Sequence, residues 1–347
     1  MKKYVFPLIA LLVLGCLFAS CDKSKSTAAK GAKTYEIVLV VKLEGVAWFD
    51  STRVGITKFN NEHPDVNAYQ IGASTADPAA QVALVNDLIA KGVDAILVIP
   101  NDPASLVPAF RNARQAGIKV LTHEAGTQAE ADYDVEAFDN TAYGAHMLDV
   151  MAEYIGGKGV WQPYVGLLTS PTHNQWVDGE LAQAKAKYPG LTVAGERIEE
   201  HEDQQLAYQR TLELLRANPN VIAMMGSAMS TVPGAAQAIT ERGLIGKAAA
   251  YGTCLPSVAG DYLVSGAAKS IHFWVPADAA YATADAAYKL LKGETISDGA
   301  NLNVNGYNNI TIKKNDSGVP VIYGQAWVDV NKDNLSEWRN ADGSYKL

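Results

Sequence analysis

Cysteine is scarce in this sequence: three in 347 residues, at positions 16, 21 and 254. The first two belong to an N-terminal leader and its end, so the rest of the chain holds Cys254 alone and has no internal disulfide to rely on. Stability must come from packed cores, and Cys254 reads as a small buried apolar residue. No HExxH, GxSxG or CxxC motif occurs, and the six histidines are scattered along the chain, so no zinc or hydrolase pattern is present. Basic residues are outnumbered, 29 Lys and Arg against 37 Asp and Glu, which argues against nucleic acid as a partner. Repeats of 20 to 50 residues are missing. The one long apolar run, 5–18, is broken by Pro7 and falls short of the roughly 20 residues a membrane-spanning helix needs.

What is present starts with that leader. Met1-Lys2-Lys3, the apolar run and Ala19-Ser20 before Cys21 make a basic n-region, an h-region and small residues at a cleavage point, an export signal over residues 1–20. The junction resembles the lipobox of bacterial lipoproteins, which implies lipidation at Cys21. Cys16 competes for that role, but more apolar residues follow it, whereas Cys21 opens the polar stretch 22–27. Residues 21–34 then form a flexible tether. Losing Lys2 and Lys3 with the leader moves the formal charge from −8 to −10. The expectation is an exported protein facing periplasm or cell exterior, held to the membrane through Cys21.

Past the tether, short β-branched runs alternate with longer helical patterns, the signature of βαβ units around a parallel sheet. Strands are expected at 36–41, 66–71, 94–99 and 119–122, with helices at 46–62, 81–91 and 103–115 between them. The alternation restarts with helices at 142–155, 175–187, 204–216 and 232–242 and strands at 164–168, 192–197, 221–225 and 248–251. The fold class is α/β, with two doubly wound parallel-sheet lobes. Residues 35–125 and 277–322 are expected in the N-terminal lobe, and 126–274 and 323–347 in the C-terminal lobe, joined by a three-segment hinge.

Ligands of open α/β sheets sit beyond the carboxyl ends of the strands, where loops converge and helix N-termini point inward. Those loops carry Lys42, Trp48, Phe49, Asn101, Asp102, Glu124, Thr172, His173, Asn174, Gln175, Trp176, Ser227 and Met229, and a later strand-like stretch ends at Trp274 and Asp278. Carboxylates accept from hydroxyls, amides do both, lysine donates, and aromatic rings cover C–H faces. That mixture suits a small polyhydroxylated ligand, and no cofactor or metal is called for.

The stretches KLEGVAWFD (42–50), DPAAQVALVNDLIAKGVDAILVIPNDPASLVPAFRNARQAGIKVLT (77–122), HNQWVDGE (173–180), PGAAQAI (233–239) and WVPADAAYATADAAYKLLKGE (274–294) resemble type I periplasmic sugar-binding proteins. Within that class they are most similar to the branch of rhamnose-binding and autoinducer-2-binding proteins. The resemblance covers nearly all of 35–340. It implies a non-enzymatic monomer that closes two lobes on a sugar and delivers it to an ABC permease, or presents the liganded form to a chemoreceptor or sensor kinase. The lysine that contacts ligand in the autoinducer-2 binders matches Lys42, and an aspartate after a strand is matched by the longer Glu124. An Asp-Gln pair before NQW is replaced by Thr172 and His173, and a Pro-Asp-Ala turn by Ser227, Ala228 and Met229. These departures favour a pentose, deoxyhexose or polyol over autoinducer-2. Asp278 matches the second aspartate of a rhamnose-type WDPxD pattern, although Val275 replaces the first.

Three further patterns carry less. Asp329, Asn331, Asp333 and Glu337 have part of the spacing of a calcium loop, but Asn334 replaces its glycine and Asn340 its last glutamate, so helix capping is the expected role. Ile155 to Gly159 lacks phosphate-loop spacing and reads as a helix-ending turn. An enzyme would need Glu124 and Asp278 as an acid and base pair. A cytosolic sugar-responsive repressor shares the clamp, but the export leader occupies the end where its DNA-binding headpiece belongs.

Overall fold

Residues 33–347 are described by a computed structural model; the leader, Cys21 and most of the tether lie outside them. The first sheet opens with β1 (Tyr35–Val41), α1 (Ala47–Glu62), β2 (Val66–Gly72), α2 (Pro78–Lys91), β3 (Ala95–Val98), α3 (Pro103–Gln115), β4 (Lys119–His123) and β5 (Tyr133–Glu136). The chain then crosses to a second sheet through α4 (Asn140–Ile155), β6 (Lys158–Val165), α5 (Pro171–Lys187), β7 (Gly190–Val193), β8 (Ile198–Glu199) and α6 (Gln204–Ala217). It continues there with β9 (Val221–Gly226), α7 (Thr231–Glu241), β10 (Ala249–Thr253), α8 (Pro256–Ser265) and β11 (Ala268–Phe273). It returns with α9 (Pro276–Leu291), β12 (Thr311–Lys314) and β13 (Pro320–Tyr323), and crosses a last time to β14 (Val328–Asn331) and a 3-10 turn, Leu335–Trp338.

Strand order is β12-β13-β5-β4-β3-β1-β2 in the first sheet and β14-β11-β10-β9-β6-β7 in the second, with β8 also on β6. Pairing is parallel except for β12 on β13 and β11 on β14. The α/β fold with two mostly parallel sheets is as expected. The boundary at 125/126 is not: β5 pairs in parallel with β4, so the first sheet runs on to Glu136 and the first crossing lies at 137–139. The other crossings lie at 274–275 and 324–327.

Local chemistry explains the elements. Both faces of β1 are buried, with Ile37, Leu39 and Val41 in one apolar cluster and Val38 and Val40 in another, as a strand covered by helices on both sides requires. Asp77, Asp102, Asp139 and Asp203 accept from backbone N–H groups at the starts of α2, α3, α4 and α6, satisfying donors that have no intrahelical partner. Gly156, left-handed at φ 69°, ends α4, so the glycine-lysine stretch is the expected helix stop.

Helix contacts are tight where a side chain is missing. A Cβ on Gly55 of α1 would meet the Ala277 carbonyl oxygen at 1.9 Å, and one on Gly144 of α4 would meet the Trp176 carbonyl oxygen at 1.9 Å. We expect Gly55→Ala and Gly144→Ala each to lower stability by roughly 1–3 kcal/mol despite the better helix propensity of alanine. Urea denaturation checks this; unchanged midpoints would mean the helix pairs slide apart freely.

Candidate functional site

Each sheet has one point where strand order reverses, between β1 and β3 in the first and between β6 and β9 in the second, and ligand crevices form at such points. Lys42 follows β1 directly. Its ammonium is 2% exposed and donates to Glu124 Oε2 at 2.9 Å and Glu202 Oε1 at 3.4 Å. Glu124 follows β4 and Glu202 follows β8, so one cation is held by one carboxylate from each sheet. Both glutamates have left-handed backbones, at φ 59° and 58°, a region that side chains other than glycine, asparagine and aspartate seldom enter. Burial alone lowers the Lys42 pKa, but Glu124 and Glu202 outweigh it and hold the amine above its ordinary range. The Glu202 carboxyl is raised, by burial first, with Lys42 pulling it back.

The lysine is positioned through backbone. Asn101 Nδ2 donates to the Lys42 carbonyl at 3.1 Å, and the Asn101 N–H donates to Gln81 Oε1 at 2.8 Å. Gln81 Nε2 in turn donates to the Val41 and Ile99 carbonyls, tying the ends of β1 and β3 together. Thr169 Oγ1 donates to the Asn101 carbonyl at 3.0 Å, a second bond between the sheets.

Two buried histidines flank the lysine. His123 Nδ1 lies on the Val135 carbonyl, which must accept, so Nε2 carries the lone pair; it is 3.8 Å from Glu124 Oε1 and has no hydrogen-bond partner among the described residues. His173 Nδ1 accepts from the Gly166 N–H at 3.3 Å, which puts its proton on Nε2. Burial lowers both pKa values, with Glu124 opposing at His123 and Lys42 reinforcing at His173, so one neutral ring offers an acceptor and the other a donor.

Beyond them lie Asp134 and Glu136 on β5. Asp134 accepts from Thr122 Oγ1 at 2.6 Å, and Glu136 from the Gly126 N–H at 2.9 Å and Thr172 Oγ1 at 3.3 Å. Burial pushes the Asp134 carboxyl up to about 7, against the Thr122 bond. It pushes Glu136 well above its ordinary value, with Asp134 and Glu124 adding to the effect.

Aromatic rings close the sides. Trp274 meets Trp48 edge-to-face at 4.7 Å, and also Phe138 at 5.4 Å, Trp176 at 5.7 Å and His123 at 5.8 Å. Trp176 Nε1 donates to Asn140 Oδ1 at 2.8 Å. Asn101 Oδ1, Asp134 Oδ2, Ser170 Oγ, Trp274 Nε1 and Tyr307 Oη are buried without a hydrogen-bond partner among the described residues. Buried polar atoms are ordinarily paired, so these five have bonding capacity to spare, as do buried atoms of Glu44, Ser51, Gln128, Trp161 and Glu180 elsewhere among the described residues.

Lys42, Asn101, Glu124, Thr172, His173, Trp48, Trp176 and Trp274 therefore come together. Ser227 joins through its Oγ, which donates to the His173 carbonyl at 3.3 Å. Other expected residues have different contacts. Phe49 is core, its carbonyl accepting from Thr52 and Gln70. Asp102 caps α3. The Asn174 amide donates to the Leu168 and Ser170 carbonyls and its oxygen accepts from Arg197, shaping the loop. Met229 offers its carbonyl to the buried Cys254 thiol. The Asp278 carboxyl is half-buried in the first turn of α9, raised by burial against the pull of Lys58. Asp329 turns to His146 and His272, while Asn331 Oδ1 accepts from the Asp333 and Asn334 N–H groups. Asn331 and Asn334 close a turn ahead of the 3-10 segment, but the N-cap Asn334 makes no side-chain capping bond, so the expected capping role is not what this stretch shows.

Glu202, His123, Asp134, Glu136 and Gln81 were not singled out from sequence. The strand-end rule covers His123, and it would have reached Glu202 had the two-residue β8 been recognised. No local signal marks Gln81.

A family described as "Periplasmic binding protein domain" matches residues 37–295. The chain is 28% identical over 280 residues to the D-xylose-binding periplasmic protein of Haemophilus influenzae, covering 79% of this chain and 80% of that protein. It is 26% identical over 245 residues to the xylitol-binding protein of Mycolicibacterium smegmatis, covering 65% and 68%. Among solved structures, a Clostridium phytofermentas ABC transporter solute-binding protein with bound L-rhamnose superposes with a TM-score of 0.80 at 23% identity, over 88% of this chain and 98% of that one. LsrB from Clostridium saccharobutylicum in complex with AI-2 gives 0.80 at 20% identity, over 88% and 100%. At these identities the two structures establish the shared fold.

The buried Asp134 carries a pH prediction. Its folded pKa, about 7, lies above the ordinary 3.8, so the folded state binds more protons than the unfolded one between about pH 4 and 7, and stability falls as pH rises through that window. Asp134→Asn removes this contribution, so the variant's stability should fall less steeply than wild type's from pH 4 to 8 in denaturant titrations. Parallel curves would mean that Asp134 is ionised throughout.

Proposed function

The chain belongs to the periplasmic binding protein family, a family of non-enzymatic solute-binding proteins, and we propose that it captures a small polyhydroxylated solute between its two sheets for import by an ABC permease. The observation that carries this reading is the inter-sheet clasp of Lys42 by Glu124 and Glu202, walled by Trp48, Trp176 and Trp274 and surrounded by unpartnered buried polar atoms. Sugar hydroxyls both donate and accept, and the crevice offers ammonium, carboxylates and two neutral imidazoles of opposite polarity. A pentose, deoxyhexose or polyol is the ligand class we infer. The xylose and xylitol binders among the relatives and the rhamnose-bound fold neighbour are consistent with it. Ligand shifts the population toward the closed arrangement because only that arrangement lets both sheets contact it.

Titration calorimetry of the mature protein against D-xylose, xylitol, D-ribose, L-rhamnose and autoinducer-2 tests the assignment. One saturable site of micromolar or tighter affinity for a sugar or polyol, without turnover, is expected; no binding to any of them would retire it. Lys42→Ala and Glu202→Ala should each cost about 1–3 kcal/mol of binding, because each strands a buried hydrogen-bonding partner. Wild-type affinity in both would move the site elsewhere.

We also infer that the mature protein is exported and anchored through an acylated Cys21. No helix among the described residues is long and apolar enough to cross a membrane. Cys21→Ala should shift the protein from the membrane fraction to the soluble fraction; retention at the membrane would exclude this anchor.

A further inference from the structure

We propose that His146, His272 and Asp329 form a binding site for one borderline divalent cation of the zinc type, separate from the solute crevice. His272 on β11 and Asp329 on β14 are direct cross-strand partners, so their side chains stand together on one face of the second sheet. His146 reaches them from α4. Asp329 Oδ1 lies 2.7 Å from His272 Nδ1, and Asp329 Oδ2 lies 2.7 Å from His146 Nε2. The three possible ligand atoms all fall within 4.8 Å of one another.

Metal–ligand bonds of about 2.0–2.2 Å at tetrahedral angles separate neighbouring donor atoms by roughly 3.3–3.5 Å. The two 2.7 Å contacts must widen by about 0.6–0.8 Å and the widest separation, at most 4.8 Å, must close by up to about 1.5 Å. Two imidazoles and one carboxylate select zinc, nickel, cobalt or copper, whereas calcium and magnesium demand oxygen donors throughout. The site has the support a metal centre uses. His272 is fully buried, and its far nitrogen, Nε2, lies 3.1 Å from Ser270 Oγ, which fixes ring orientation and leaves Nδ1 for the ion. His146 and Asp329 are 29% and 42% exposed, so an ion can enter and a water can complete the coordination. The indole of Trp327 stacks on His146, nearly parallel at 5.1 Å, which places a fluorophore beside the ion.

The test uses tag-free, chelator-stripped mature protein titrated with Zn²⁺ by calorimetry, and with Cu²⁺ while following tryptophan fluorescence. One ion per chain with micromolar or tighter affinity is expected, together with quenching by Cu²⁺. His146→Gln and Asp329→Asn, both at partly exposed positions where folding is safe, should weaken binding at least tenfold. His201→Ala should not, since His201 forms only a solvent-exposed pair with Glu199. Absence of a stoichiometric Zn²⁺ site, full affinity in both His146→Gln and Asp329→Asn, or loss of binding in His201→Ala would overturn the proposal.

Discussion

A buried ammonium sets the terms for the whole molecule. Lys42 sits where two sheets meet, and a cation withdrawn from water must be neutralised by hydrogen-bonded anions or leave. The two anions come from opposite sheets, so neither half alone satisfies it. Glu124 and Glu202 both hold left-handed backbone conformations, costing on the order of 1 kcal/mol each. Strain and desolvation thus meet at the line of closure. Closure that rests on such a contact is conditional by construction, which is what a capture device needs.

Burial shapes the charge balance around the lysine. Four carboxyl groups, Glu124, Asp134, Glu136 and Glu202, share the region with one lysine. Burial raises the pKa values of Asp134 and Glu136, and that of Glu202 against the pull of Lys42, so the region resists holding four carboxylate charges at once. The histidines stay neutral for the same reason. The crevice therefore presents donors and acceptors side by side, a surface that can pair with hydroxyls.

Much of this was legible in the residues. The alternation of strand and helix patterns gave the two sheets, and the strand-end rule led to Lys42, Asn101, Glu124 and the Thr172–Trp176 segment. The failures have separate physical causes. YDVE at 133–136 is a central strand carrying two buried acids, and burial of acids contradicts the pattern by which strands are recognised. Its omission misplaced the first crossing. Glu202 follows a strand of two residues, too short to give a period. Asp102 and Asn174 were over-read because a cap and a ligand contact use the same side chains at the same loop positions. His146, His272 and Asp329 meet across 183 and 57 residues of sequence, and only the β11–β14 register brings them together.

The three crossings explain how a strained ionic clasp can coexist with motion. Each carries an aromatic residue, Phe138, Trp274 and Trp327, and Phe138 touches both of the others, at 5.4 and 5.7 Å. Ring contacts of this kind depend weakly on orientation, so they tolerate a small rotation that a hydrogen bond would not. Hydrogen bonds at the clasp are directional and are broken by the same rotation. Opening would therefore cost the Lys42–Glu202 and Thr169–Asn101 contacts, while Lys42 keeps Glu124 of its own sheet and the aromatic cluster stays largely in contact. Trp274 belongs to both systems, as a hinge residue and as the wall beside Trp48 and His123. Any contact made to Trp274 is therefore felt at the hinge and in the crevice through one side chain.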